Sequence, residues 1–177
     1  AVVVIIIGAV IGGYNNLVDD REDVLEAQSA ISVQLQRRAD LIPNFVATVK
    51  GYSDYEQSTF TAVTEARSAV QRANNVTEQA AASNQLDRAI DIWVNAVTEA
   101  YPELKASEQY KALQDELAGT ENRIAVARRD YNEDAREFNA EIKKFPRSIL
   151  AGLFGFEAYD YFEADSSAQN VPQVSFD

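Results

Sequence analysis

From Ser107 to Phe145 a mostly apolar stripe returns every three or four positions: Tyr110, Leu113, Leu117, Thr120, Ile124, Ala127, Tyr131, Phe138, Ile142 and Phe145. That is the period of one helix face. At the α-helical rise such a run of about 39 residues reaches close to ~60 Å. A helix of this kind must bury its stripe against partners of similar length. The chain has 177 residues, which suits one domain, and only 7 Gly and 4 Pro to interrupt it. The predicted fold is all-α. It consists of a hydrophobic N-terminal helix continuing into an antiparallel four-helix bundle of long helices, followed by an irregular C-terminal tail.

The other helices follow from the same periodicity and its breaks. Leu17, Val24 and Ile31 repeat at seven, with Ala27 and Leu35 on the same face, and no Gly or Pro falls between Tyr14 and Ile42. One helix is predicted from the N-terminus to about residue 40. It is expected to stop at Asp40-Leu-Ile-Pro43, because a residue before proline is pushed out of the α region and Pro suits a first turn. A second helix is predicted over 43–73, with Phe45, Val49, Tyr52, Glu56, Phe60, Val63, Arg67 and Val70 along its stripe and Gly51 as a weak point. Asn74-Asn-Val-Thr77 breaks the chain again, with Thr77 as the expected N-cap of a helix over 78–100. That helix buries Ala82, Leu86, Ala89, Ile90, Trp93, Val97 and Ala100. Pro102 ends it, and Ser107 caps the long fourth helix, which Pro146 closes.

The first residues differ in kind. The stretch AVVVIIIGAVIGGY carries no charge over its length. It covers roughly 20 Å against the ~30 Å of a hydrocarbon core, and the residues through Val18 bring it closer. Three readings compete. It is a membrane anchor shortened by processing, a hydrophobic N-terminus packed against copies of itself, or a buried helix of a soluble domain. Val4, Ile5, Ile6, Ile7, Val10 and Ile11 carry the first two. The resulting division is a hydrophobic membrane or assembly helix over 1–18, a helical bundle over 19–147, and an apolar patch with an acidic irregular tail over 148–177. In that patch, SILAGLFGF, the residues Leu150, Leu153, Phe154 and Phe156 either dock at an interface or cap the bundle end.

Composition excludes much chemistry. There is no Cys and no His, so thiol catalysis, disulfides and His-ligated metals are unavailable. No Gly-x-Ser-x-Gly and no phosphate-binding glycine loop occurs. Asn75-Val-Thr77 matches a glycosylation sequon, a weak three-residue pattern. No catalytic residue, cofactor or metal is predicted. The net charge of −12 repels nucleic-acid phosphate, and no nucleic-acid partner is expected. Two charged groups stand beside the apolar stripes: Arg37, Arg38 and Asp40, and Glu121, Arg128, Arg129 and Asp130. Arginine forks pair bidentately with carboxylates, so these residues form interhelical ion pairs or a docking surface for a partner protein.

Several blocks carry a family likeness: VQLQRRADLIPNFVATVKGY, AVTEARSAV, the long run AYPELKASEQYKALQDELAGTENRIAVARRDYNEDAREFNAEIKKFP, and LAGLFGFEAYDYFEA. In this order, from about Tyr14 to Ala164, the chain resembles the LemA family of bacterial membrane proteins. The resemblance implies an N-terminal membrane helix followed by a helical bundle, and no activity. The expected function is a non-enzymatic, membrane-anchored helical scaffold or adaptor for an unidentified protein partner, held in a bacterial membrane by a single N-terminal anchor. The rival is a structural subunit of a filament, tube or ring at the cell surface, assembled through copies of residues 1–18.

Overall fold

The structure, a computed structural model, describes residues 2–50 and 57–163, apart from a few side chains among them. Its helices are α1 (Val2–Lys50), α2 (Gln57–Arg72), α3 (Val76–Ala100), α4 (Glu108–Glu141) and α5 (Arg147–Phe154), with a short 3-10 helix at Pro102–Ala106. The fold is all-α, led by a long helix with an apolar start. Cross-helix pairs give the directions. Phe45 meets Tyr110 near the start of α4, and Arg37, earlier on α1, meets Glu116, later on α4, so α1 and α4 run oppositely. Ser32 meets Gln79, Arg38 meets Asp87 and Phe45 meets Trp93, so α1 and α3 run together.

The break expected at Pro43 does not occur: α1 continues through Pro43 to Lys50. Packing decides this. Proline in a helix interior costs about 3 kcal/mol, because it removes one backbone bond and crowds the preceding turn. Ile42, Phe45, Val46 and Val49 are all buried beyond or beside it. Each such side chain contributes on the order of 1.5–3 kcal/mol on burial, which together outweighs the proline. Phe45 stacks at 4.9 Å from Trp93 and 5.2 Å from Tyr110, while Pro43 itself faces solvent. The second helix is accordingly shorter than 43–73, and Gly51, Tyr52 and Glu56 lie outside the described residues.

Two further expectations need correction. The N-cap of α3 is Asn75 rather than Thr77: its side chain accepts from the Glu78 N–H, and Glu78 in turn accepts from the Asn74 N–H at 2.8 Å. The two side chains thereby satisfy neighbouring backbone donors from both sides, a near relative of the capping box. The fourth helix ends at Glu141, not Phe145, and the Phe145 side chain is 82% exposed. Ser107 does cap α4, accepting from the Tyr110 N–H. Of the α3 face, Ala100 is exposed and the other six residues are buried.

The segment after α5 is irregular over 157–163, yet it is ordered by the bundle itself. Asn139 Nδ2 donates to the Tyr159 carbonyl and its Oδ1 accepts the Tyr159 N–H, both at 2.8 Å. Asn132, seven residues earlier, treats Phe162 the same way at 3.0 and 2.7 Å. Each amide thus mimics a neighbouring strand, satisfying both backbone groups of one residue. Between them Tyr131 donates to the Asp160 carbonyl at 2.7 Å, and burial pushes its hydroxyl up to about 12, so it stays a neutral donor. Phe162 is buried in the main core.

Asn139→Ala leaves the Tyr159 backbone without both partners, and an unsatisfied buried group costs about 1–3 kcal/mol. The expected result is faster amide hydrogen exchange at Tyr159 and Phe162 with α1–α4 protection retained. Unchanged exchange in 157–163 would show that Phe162 burial alone holds the segment.

Candidate functional site

Three features carry the chemistry: an apolar collar at the start of the chain, a charge cluster in the middle of the bundle, and the ordered tail. Among the described residues, the apolar start of α1 is left exposed. Val4 is 72% exposed and Ile5 70%, and Ile7, Val10 and Ile11 are exposed as well; the Ile6 side chain lies outside the described residues. α1 is the one helix among the described residues long and apolar enough to cross a membrane. Side chains of this kind are stable only against lipid or another apolar surface.

α5 meets α1 where this segment passes into the charged one. Leu17, Leu150 and Ala151 form a small core separate from the main one. Gly13 allows the approach, since a Cβ there would stand 2.9 Å from Leu150 Cδ1. Tyr14 packs edge-on against Phe154 at 4.7 Å and Phe156 at 5.8 Å. Gly155 closes α5 at φ 72°, a left-handed cap that favours glycine. Of the sequence-picked patch, Leu150 is buried and Phe156 half-buried, while Leu153 and Phe154 are exposed. Above this collar Arg147 bonds to Glu141 and lies 3.8 Å from Asp20, a charged ring between the two cores.

The second feature centres on Asp87 of α3. Arg38 from α1 reaches its Oδ1 at 2.7 Å, and Arg128 from α4 its Oδ2 at 3.9 Å. Arg38 is 3% exposed and lies 4.0 Å from Glu121, which is largely solvated. Arg128 also donates to the Ser83 hydroxyl, and its guanidinium sits 4.5 Å over the Phe162 ring. Burial, helped by the charges of Glu121 and Asp91, raises the Asp87 pKa against the lowering pull of the Arg38 and Arg128 guanidiniums. The same burial lowers Arg128.

Thus Arg38, Glu121 and Arg128, chosen from sequence, come together, around an Asp87 that was not chosen. The others do not join them. Arg37 lies 3.8 Å from Glu116, and Asp40 accepts from Gln36 and lies 3.7 Å from Arg67 of α2. Arg129 pairs with its own neighbour Asp130, and both are exposed. Asp130 lines an open groove between α1 and α4 with Asp23, Arg123 and Asp134. Burial, then the charges of Asp23 and Glu137, raise the Asp134 pKa. Among the described residues no group of three or more carboxylates is placed to hold a metal ion.

The chain matches the model of the LemA family over residues 27–176. It is 28% identical to Magnetosome protein MamQ 2 of Paramagnetospirillum magneticum, across 98% of this chain and 72% of the relative. It is 26% identical to Magnetosome protein MamQ of Magnetospirillum gryphiswaldense, across 92% and 68%. It is 29% identical to Protein LemA of Metamycoplasma hominis, across 80% of this chain and 64% of the relative. An alignment covering 98% of the chain takes in the apolar start as well.

Removing one partner of a buried ion pair strands the other charge, at about 3 kcal/mol or more. Asp87→Ala is therefore expected to lower the urea midpoint sharply, and Arg38→Met with Asp87→Leu to recover most of the loss. A double variant no more stable than Asp87→Ala would contradict this. The pH response has a definite sign. A carboxyl raised on folding adds stability that is full below its unfolded value and fades as pH rises through the folded one. For Asp87 and Asp134 the unfolded value is near 3.8. Glu141, held low first by the Lys144 hydrogen bond, keeps its opposite contribution above its ordinary 4.5. Thermal melts at low salt should rise as pH falls from neutral toward 4.5, less so in Asp134→Asn.

Proposed function

This chain belongs to the LemA family, and from that premise we propose that it is a membrane-anchored, non-enzymatic helical scaffold. Residues 1–18 hold it in a bacterial membrane, and the bundle presents α4 and the tail to a protein partner. The observation that carries this reading is the exposed apolar run from Val2 to Ile11 on a helix that enters the bundle without interruption. Removing apolar surface from water is worth about 25 cal/mol per Å², and lipid is the plainest source of cover for a face so uniformly apolar. The magnetosome proteins among its relatives support an association with a membrane compartment, by name alone.

A second reading, assembly through copies of the same segment, has its own support. Gly8 and Gly12 stand four residues apart, with open space beyond each. Small residues at this spacing let two helix backbones approach closely within a bilayer. Copies paired in this way form an anchored oligomer, and copies that bundle without lipid form a filament or ring.

Ile7→Asp tests the anchor. A carboxylate at the centre of a spanning helix costs about 3 kcal/mol. The variant is expected to leave the membrane fraction and dissolve without detergent, with the helical circular dichroism of the bundle intact. Wild-type protein that extracts without detergent as large ordered particles would overturn the anchor in favour of self-packing. Loss of the bundle signal in Ile7→Asp would overturn both.

A further inference from the structure

α5 has two faces. Leu150 and Ala151 turn inward onto Leu17, whereas Ile149 is 60% exposed, Leu153 73% and Phe154 50%. Phe145, just before the helix, is the most exposed large apolar residue among those described. An eight-residue helix that used its hydrophobic residues only to cap a bundle would leave its outer face polar. This one is apolar on both faces, and Gly152 between them adds no polar group.

Its position names the occupant. α5 is fixed to α1 at Gly13, Tyr14 and Leu17, directly beside the exposed apolar run that ends near Ile11. Phe154, at its far end, touches Tyr14, so α5 descends along α1 toward that run. Its outer face therefore continues the same exposed apolar surface with no charged residue between Ser148 and Gly155. The charges begin on the other side, with Lys143 and Lys144 before the helix, Arg147 at its first position, and Asp19 and Asp20 on α1. Aromatic and aliphatic side chains next to lysines at the edge of a spanning helix are the make-up of a membrane–water interface.

We propose that the outer face of α5, Ile149, Leu153 and Phe154 with Phe145 ahead of it, inserts into the lipid headgroup region beside α1. It forms a second membrane contact that fixes the bundle against the bilayer surface. This rests on the anchor reading above, and it adds a site that α1 alone does not require. Two contacts from different parts of the chain leave the bundle one orientation toward the surface, where a single helix leaves it free to spin about its axis.

The absence of Cys permits a clean test on the full chain. Single cysteines at Ile7, Leu153 and Ile92, the last exposed on α3, carry an environment-sensitive fluorophore. Each protein is reconstituted in phosphatidylcholine–phosphatidylglycerol vesicles whose acyl chains are brominated or not. Bromine quenches only a fluorophore that touches lipid. The expected result is loss of fluorescence at Ile7→Cys and Leu153→Cys, with none at Ile92→Cys. Quenching at Ile7→Cys alone overturns the α5 contact and leaves the anchor standing. No quenching at Ile7→Cys overturns both. A label at Leu153→Cys shielded from aqueous iodide yet untouched by brominated lipid is covered by protein, which overturns a lipid contact in favour of a second copy or partner.

Discussion

Asp87 holds three helices and the tail to one another through two guanidiniums. Arg38 comes from α1 and Arg128 from α4, and Arg128 in turn supports the Phe162 ring. Apolar stripes set which faces meet, but they tolerate sliding by one turn, since the next turn offers similar residues. A near-buried guanidinium held 2.7 Å from the Asp87 carboxylate does not tolerate it. The aromatic cluster of Phe45, Trp93 and Tyr110 sits farther along the same three helices and contributes three of the largest fully buried side chains. Charge fixes the register, and aromatic packing supplies the stability that makes the register worth fixing.

Legibility from sequence tracks the range of the interaction involved. The stripes of α1, α3 and α4 are local patterns, and they place Leu17, Val24, Ile31, Leu86, Trp93, Ile124 and Tyr131 in cores as expected. Pro43 is a local signal as well, and it misleads because four buried neighbours outweigh it. Thr77 is the stronger-looking cap only until Glu78 is paired with Asn75. Asp87 carries no mark at all in the sequence: one aspartate on a helix is normally solvated, and only the distant Arg38 and Arg128 make it special. Asn132 and Asn139 had a faint signal, two amides seven apart at the edge of the α4 stripe, but their partners lie 20 to 30 residues away. The membrane, self-assembly and docking roles of the chosen residues involve partners outside the chain, and no intramolecular pattern specifies those.

The molecule is layered along α1. The exposed apolar run gives way to the small Leu17–Leu150 core, then to the ring of Asp20, Glu141 and Arg147, and then to the main core. The charged ring separates two apolar regions with different demands, one closed on itself and one open to its surroundings. The tail returns along α4 from that ring and ends its described course at Glu163, beside the Asp87 cluster. The two ends of the described chain thus differ in kind, one bare and one fastened down.

The continuity of α1 has a mechanical consequence. Unbroken between its first turn and Lys50, the helix is one element of 49 residues, roughly 73 Å along its path at 1.5 Å per residue. Whatever grips its apolar end takes hold of a lever. A ten-degree tilt of the gripped end sweeps the Lys50 end sideways by about 8 Å over the remaining turns. Because α4 is packed along most of that rod, the bundle has to follow as one body, so the angle of the first helix becomes the address of everything attached to it.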